Sequence, residues 1–405
     1  MDEDLSPAVL QKVVYAGANE RSFRQAHDSL KILAEQDIPV RRIERITERV
    51  GAERVAQRNR QTAAWDAKPL VEKYPKPHQK CTDAAMLQFD GGRAQVLDRS
   101  RDAAPSGETL WSETKVGSLY WMQSETHDTD PCPDVPPTFL DPPRVMKLAS
   151  EIGRHTASQT EDSLHPPKPP QQQKHPSKRP GIPEPQSRPR VLASLADAHT
   201  FGKQLACAAL EEGLFEAQRK AFVGDGSSTN WAIHKRHFST WTAILDFVHA
   251  MTYLFAAATA GQPFAEGWSV YRRWLEWTWL GHVERVIAEL ALRQAELGRP
   301  EKNESETSPR SIIEKTLTYL QNQKPRMRYD QYRKKGLPIT SCYIESTIKQ
   351  INHRVKGTEK VWSPAGGEAV LQLRADYLSD TQPMNGFWNH RQTSMTGARP
   401  LQTAT

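Results

Sequence analysis

Three acidic residues stand where a strand or a helix could present them for chemistry: Asp90, Asp225 and Glu345. Asp90 ends the apolar run 84–89, and Asp225 follows the apolar run 221–224. Hard divalent cations prefer carboxylate oxygens as ligands, and two such ions about 4 Å apart can neutralise both the entering and the leaving oxygen of a phosphodiester displacement. Taken together, the three acids indicate metal-dependent cleavage of a nucleic-acid backbone. Taken singly, Asp90 and Asp225 are also typical of turns, because Asp-Gly is a common turn signal.

The third acid lies in a predicted helix that Ser341 could cap and Gly357 could end. One stripe of this helix is apolar and predicted to be buried: Ile344, Ile348, Ile351 and Val355. An adjacent stripe places Glu345 upstream of Lys349 and Lys356 on the same face. A metal-binding acid followed by phosphate-binding lysines would suit cleavage of a nucleic acid. The alternative is an ordinary helix pair between Glu345 and Lys349.

Basic residues are clustered on both sides of this helix. The tract 324–335 interleaves six of them with two tyrosines, and more follow within and after the helix. The candidate DNA contacts are Arg326, Arg328, Arg333, Lys334, Lys335, Lys349, Arg354, Lys356 and Lys360. Such clustering suits a phosphate backbone, whereas a solvated basic surface is the alternative interpretation.

Composition excludes several classes of protein. The chain has 405 residues, a formal net charge of +6, 29 prolines and four cysteines. Cysteines in no recognisable metal spacing favour neither a zinc finger nor a disulfide framework. The longest apolar run is shorter than the roughly 20 residues that a membrane span needs, and the first residues lack a signal-peptide pattern. We therefore expect a soluble, cytoplasmic protein with no membrane partner.

The order of predicted elements is that of an α/β protein. Helices over 22–51, the second rich in arginine, resemble a helix-turn-helix, as any small helical pair would. Three short strands are predicted at 84–89, 94–97 and 115–122, then a long helix over 191–220 and two further strands ending near Asp225 and Asp246. Open α/β sheets carry their chemistry at the carboxyl ends of strands. Between residues 131 and 189 lie fifteen prolines, which predicts a disordered insert over about 155–190.

Several stretches of the chain resemble the transposases of ISKra-type bacterial insertion sequences. These are DDE transposases of the Mutator-like group with a ribonuclease-H-like catalytic core. The stretches that carry the resemblance are 90–92 with 111–117, 223–231, 244–249, 326–332, 336–339, 344–346 and 354–362. The resemblance covers about residues 20–120 and 190–380, and its specific part is 223–362.

The resemblance implies a role for each of five residues. Asp90, Asp225 and Glu345 match the catalytic and metal-binding triad, and Asp246 with His249 match an Asp-x-x-His signature on the next strand. Asp246 and His249 would support the site, or Asp246 could instead be the second acid of the triad. The implied cofactor is a pair of Mg²⁺ ions, with Mn²⁺ as a possible substitute. The implied partners are terminal inverted repeats and target DNA, bound by a homo-oligomer in the nucleoid.

The resemblance and the composition together predict seven regions. The catalytic core would be a ribonuclease-H-like mixed sheet flanked by helices, interrupted by the proline-rich insert and by a helical insertion. The regions are a helical, helix-turn-helix-like DNA-binding region at 1–75, the first three core strands at 76–124, a proline-rich linker at 125–190, a core helix and strands at 191–260, a helical insertion at 261–334, the glutamate helix at 335–357 and a C-terminal tail at 358–405.

Overall fold

The computed structural model of the protein describes residues 5–77, 83–98, 111–152, 184–185, 189–357 and 359–396. Most of the predicted disordered insert over 155–190 lies outside the described residues. The helices are α1 (Pro7–Asn19), α2 (Phe23–Ala34), α3 (Val40–Asp66), α4 (Leu70–Lys73), α5 (Pro142–Glu151), α6 (Ala198–Glu211), α7 (Ser228–His237), α8 (Phe247–Thr259), α9 (Phe264–Trp279), α10 (Val283–Leu297), α11 (Pro309–Gln323), α12 (Tyr329–Lys334), α13 (Cys342–Val355), α14 (Pro364–Leu378) and α15 (Pro383–Thr396). The strands are β1 (Ala84–Val96), β2 (Trp111–Gln123), β3 (Glu184–Pro185), β4 (Arg190–Ser194), β5 (Arg219–Gly224), β6 (Thr242–Leu245) and β7 (Val361–Trp362).

A mixed sheet forms the centre of the molecule, which confirms the predicted α/β class. Its main strands lie side by side in the order β4, β2, β1, β5, β6. β2 runs antiparallel to both β4 and β1, whereas β5 and β6 run parallel to β1. The two-residue strands β3 and β7 add to β2 and β1. Because β1, β5 and β6 are parallel neighbours, the carboxyl ends of β5 and β6 lie together beside the middle of β1, which continues to Val96.

The first part of the sheet differs from the sequence prediction. The two short strands predicted at 84–89 and 94–97 are one continuous strand, β1, which passes through Gly91 and Gly92 and pairs with β2 along its length. A Cβ on Gly92 would lie 2.7 Å from Thr114 Oγ1, so the close packing against β2 requires a residue without a side chain. The Asp-Gly-Gly sequence therefore serves close packing here and does not form a turn.

The predicted helix over 191–220 is also divided differently. Its first residues form β4, five buried residues that hydrogen-bond to β2, and the helix α6 begins only at Ala198. Asp197 caps α6, since its side chain accepts a hydrogen bond from the Thr200 backbone N–H. A short apolar run fits a buried strand and a helix equally well by spacing alone, which explains the error.

Part of the segment predicted as a proline-rich linker is folded. Residues 131–152 pack against the helical insertion formed by α9 to α11 and against α8, and Val145 and Ala149 of α5 are buried in that core. Trp279 Nε1 donates a hydrogen bond to the Cys132 carbonyl at 2.9 Å, and the Tyr271 hydroxyl donates one to the Phe139 carbonyl at 3.0 Å. The buried tryptophans and tyrosines of the insertion thus share one core with this segment, with α8 and with strands of the sheet.

The two ends of the described chain pack together. The helices predicted over 22–51 are confirmed as α2 and α3, although α3 continues to Asp66. The predicted C-terminal tail contains α14, which packs against both α3 and β4, so this region is part of the folded protein. No helix in the ranges given above is long and apolar enough to cross a membrane.

Candidate active site

The strand register brings three aspartates into one row. Phe89 of β1 pairs with Gly224 of β5, so the next residues, Asp90 and Asp225, are neighbours across the sheet. β6 pairs with β5 in the same register and ends immediately before Asp246. Adjacent strands lie about 4.8 Å apart, and side chains in register point to the same face. The three acids are therefore neighbours, but the prediction that each lies at a strand end is wrong for Asp90, which lies within β1.

Asp90 carries a strongly perturbed carboxyl group. The pKa of Asp90 is raised to about 6, first by burial and then by the negative charge of Asp225, with a smaller contribution from Asp246. His249 and the backbone N–H of Gly91, which donates to Asp90 Oδ1 at 2.6 Å, act in the opposite direction. Two carboxylates on neighbouring parallel strands thus repel each other in a partly dry environment.

Asp225 is held by the loop that follows β5. Its Oδ1 atom accepts hydrogen bonds from the Ser227 backbone N–H at 2.9 Å and from Asn230 Nδ2 at 2.8 Å. The Tyr319 hydroxyl of α11 donates to the Asp225 carbonyl oxygen at 2.7 Å. Gly226 has φ +96°, a conformation that favours glycine, and a Cβ there would lie 2.8 Å from the Tyr319 ring. The position of Asp225 is therefore fixed through its Oδ1 atom and its backbone carbonyl. Its Oδ2 atom accepts no hydrogen bond from the residues that the structure describes.

Asp246 is fully buried, and both of its oxygens are engaged. Oδ2 accepts the His249 backbone N–H at 3.0 Å, which caps α8, and lies 2.7 Å from His249 Nδ1. Oδ1 accepts the Ser341 backbone N–H at 2.7 Å. This arrangement favours Asp225 over Asp246 as the acid that faces a ligand, with Asp246 as a positioning residue.

His249 is the cation of the cluster. Burial lowers its pKa, but the hydrogen bond to Asp246 and the charges of Asp246, Asp225 and Asp90 outweigh burial and raise the pKa to about 9. The imidazole is therefore protonated at neutral pH, and it partly neutralises the row of acids.

The glutamate helix α13 is attached to the sheet at its first turn. The buried Gln88 of β1 accepts the Ile344 backbone N–H at 2.8 Å and donates to the Thr340 carbonyl at 2.9 Å. Asp246 secures the neighbouring Ser341 backbone, as described above. The Ser341 side chain makes no capping hydrogen bond, so the predicted cap is replaced by these two contacts. Sequence reasoning missed Gln88, although a lone amide within an apolar strand was a usable signal.

Glu345 lies within electrostatic reach of the same cluster. It is half-buried, and its pKa is raised first by burial and next by the charge of Asp246. His249 and Lys349 lower that pKa, whereas Glu151 raises it. The predicted buried stripe is confirmed, because Ile344, Ile348, Ile351 and Val355 are buried together in one apolar cluster. Asp90, Asp225, Asp246, His249 and Glu345 thus form one electrostatically coupled group, which we name the acid cluster.

The donor types of the acid cluster suit a hard divalent cation such as Mg²⁺, since its unengaged atoms are carboxylate oxygens. Within the described ranges, however, no three His, Cys, Asp or Glu side chains are arranged so that they could hold one metal ion. The chemistry of the donors therefore fits the predicted cofactor, while their spacing is not that of an assembled metal site.

The predicted DNA contacts fall into three groups by exposure. The exposed ones are Arg328, Lys335, Lys349 and Lys356; the half-buried ones are Arg326, Lys334 and Lys360; the buried ones are Arg333 and Arg354. The half-buried Arg326 lies over the Trp231 ring at 4.4 Å. Arg328 forms an ion pair with Glu284 at 2.7 Å. Among the lysines of this set, Lys335, Lys349 and Lys356 are thus the ones most open to a phosphate backbone.

The prediction that Arg333 contacts DNA is wrong. Arg333 is 5% exposed, forms an ion pair with Asp130 and lies over the Trp279 ring at 4.1 Å. It also donates to the Trp279 carbonyl oxygen at 2.9 Å. The Arg333 side chain therefore links Asp130, in the segment before α5, to Trp279 of the helical insertion.

The prediction is also wrong for Arg354, which is 1% exposed. Its guanidinium lies 4.4 Å from the Phe23 ring centre and 4.9 Å from that of Trp362, and its Nε donates to the Gly17 carbonyl at 3.0 Å. Burial lowers the pKa of Arg354 to about 10. Basic residues were assigned by type, and the sequence did not show that these two pack on aromatic rings.

Comparison with known proteins adds no family assignment: the chain matches no protein-family model, and no curated protein matches it significantly.

Proposed function

We propose that the protein is a DNA transposase of a bacterial insertion sequence, a DDE enzyme that cleaves and joins DNA strands in a metal-dependent reaction. The observation that carries the proposal is the proximity of Asp90 and Asp225, which directly follow the strand pair Phe89 and Gly224, with Glu345 electrostatically coupled to the same group. A mixed sheet with helices on its faces also agrees with a ribonuclease-H-like core, which is part of the proposal.

The proposed partners are the terminal inverted repeats of the element and its target DNA, bound by a homo-oligomer in the nucleoid. The exposed lysines beside α13 and the arginine-rich α3 support a polyanionic partner. Arg54 and Arg58 of α3 are buried, so any contact of that helix with DNA would use its other arginines.

The chain's own residues have separable tasks in this proposal. Asp90, Asp225 and Glu345 would hold two Mg²⁺ ions, or Mn²⁺ in their place, which would supply charge neutralisation at the reacting phosphate. Gln88 and Asp246 position the first turn of α13 and so the carboxylate of Glu345. Protonated His249 limits the repulsion among the acids, and exposed Lys349 can neutralise a phosphate.

The test is removal of each carboxylate without change of shape. We expect Asp90→Asn, Asp225→Asn and Glu345→Gln each to lower strand cleavage and strand transfer by about 10³-fold or more, because each removes a charge that the reaction requires, with DNA binding largely kept. Cleavage and joining of a labelled duplex carrying the element's end, assayed with Mg²⁺ or Mn²⁺, give the measurement. Asp128→Asn, at an exposed position, is the matched control. The proposal would be contradicted if all three variants cleaved DNA at the rate of the wild type.

The alternative is a catalytically inactive protein that only occupies inverted repeats. Calorimetric titration with Mg²⁺ or Mn²⁺ separates the two: binding that Asp225→Asn abolishes supports the enzyme, and its absence supports the inactive protein. Cleavage without joining would instead indicate a metal-dependent nuclease that does not transpose.

A further inference from the structure

The helix α5, which lies in the segment predicted as a linker, has two different faces. Val145 and Ala149 are buried against α8. Arg144 and Lys147 are exposed to solvent. Asp246 caps α8 and His249 lies in its first turn, so α5 packs against the helix that carries part of the acid cluster.

At the end of α5, a carboxylate lies between two lysines. Glu151 approaches Lys147 Nζ at 4.0 Å within its own helix and Lys349 Nζ of α13 at 3.3 Å. The Lys147 side chain is 76% exposed and that of Lys349 is 68% exposed. Ion pairs between such exposed groups contribute little to stability, so a competing anion can replace the carboxylate.

Two observations show where Glu151 and its two lysines, which we name the lysine bridge, lie relative to the acid cluster. Lys349 lies one helical turn after Glu345 on the same face of α13. The charge of Glu151 also contributes to the raised pKa of Glu345, which requires the two carboxylates to be near each other. The lysine bridge therefore lies next to the acid cluster.

We propose that Lys147 and Lys349 together bind a backbone phosphate of DNA beside Glu345, and that Glu151 occupies the phosphate position when DNA is absent. A phosphodiester, like a carboxylate, presents anionic oxygens that can bridge two ammonium groups. Arg144, three residues before Lys147 on the exposed face, extends the cationic surface along α5. The inference rests on the proposed function only for the choice of DNA as the polyanion.

The test measures the affinity for a 20-base-pair duplex of arbitrary sequence by fluorescence anisotropy between 50 and 200 mM salt, with EDTA present. We expect Lys147→Ala and Lys349→Ala each to reduce the slope of log affinity against log salt by about 1, because each removes a phosphate contact. Glu151→Gln removes the competing anion and should tighten binding by about two- to fivefold.

Glu306→Gln is the control, because it breaks another solvent-exposed pair, the one that Glu306 forms with Lys315 of α11 at 2.9 Å. We expect this variant to bind DNA like the wild type. Weaker or unchanged binding by Glu151→Gln, at an unchanged melting temperature, would overturn the inference. Unchanged salt slopes in both lysine variants would do the same.

The experiment is independent of catalysis because it contains no divalent metal. If the lysine and Glu151 variants respond as expected while cleavage is never detected, the phosphate site stands and the proposed enzyme function fails. If cleavage depends on Asp225 while the slopes do not change, the proposed function stands and the phosphate site fails.

Discussion

The ionised carboxyl group of Asp90 destabilises the fold in which it lies. Its pKa of about 6 exceeds the ordinary value of 3.8, because the group is largely withdrawn from water and faces Asp225. An acid with a raised pKa takes up its proton more readily in the folded than in the unfolded chain. Asp90 therefore contributes a loss of stability that grows as the pH rises from about 4 to about 6 and persists at higher pH.

This sign leads to a prediction for Asp90→Asn. Above pH 6 the substitution removes a destabilising charge, whereas near pH 4.5 the wild-type group is already mostly protonated. We expect the stability gained by the variant to be larger at pH 8 than at pH 4.5 by about 1 to 2 kcal/mol. Urea denaturation at the two pH values measures it, with the exposed Asp128→Asn as the control. A gain that does not depend on pH would contradict the assigned environment of Asp90.

The sequence identified the residues that carry charge better than those that position them. Asp90 and Asp225 were predicted because each follows an apolar run, a pattern that strand register converts directly into proximity. The role of Gln88 was not predicted, because it depends on a hydrogen bond with the Ile344 backbone N–H, 256 residues away. No spacing rule reports such a contact.

Among the elements, α13 is secured along β1 at both of its ends. Gln88 holds the first turn, and Gln95 Nε2 donates to the Gly357 carbonyl beyond the last turn at 3.1 Å. The helix and its buried stripe were predicted from a 3.6-residue period. The path of the helix along β1 was not predicted, because it depends on contacts with residues that are distant in sequence.

The two amides give a matched pair of variants. Gln88→Ala leaves the Ile344 N–H and the Thr340 carbonyl without their partner, so we expect a loss of stability of about 1 to 3 kcal/mol and faster amide exchange over 340–345. Gln95→Ala should instead affect the far end of α13 and leave exchange at 340–345 unchanged. Thermal unfolding and hydrogen exchange measure both. Equal protection at 340–345 in Gln88→Ala and in the wild type would exclude the anchoring role.

At the scale of the whole molecule, a buried ion cluster joins the two ends of the described chain. Asp376 of α14 pairs with Arg54 Nε of α3 at 2.9 Å and with Arg190 Nη1 of β4 at 3.5 Å, and all three side chains are buried. The sequence offered no sign of this cluster, and the region was predicted as a tail. Its charges lie 186 and 322 residues apart along the chain.

Removing the carboxylate of this cluster should destabilise the whole protein. Asp376→Ala leaves the buried Arg54 without its carboxylate and leaves Arg190 with only Glu212, at 3.9 Å, so we expect it to lower the free energy of unfolding by about 3 to 5 kcal/mol. Asp28→Ala, which breaks an exposed pair with Arg24, should cost about 1 kcal/mol or less. Chemical denaturation of the full chain compares the two. Similar losses in both variants would show that the cluster does not join these elements.

The continuity of β1 sets a limit on how this gene can change in length. The strand carries Gln88, Asp90 and Gln95 in one unbroken extended segment. A single inserted or deleted codon between Gln88 and Gln95 would reverse the face of every later side chain and move one anchor of α13 relative to the other. We therefore expect homologous genes to vary in length outside 88–95 and to keep that interval at a fixed number of codons.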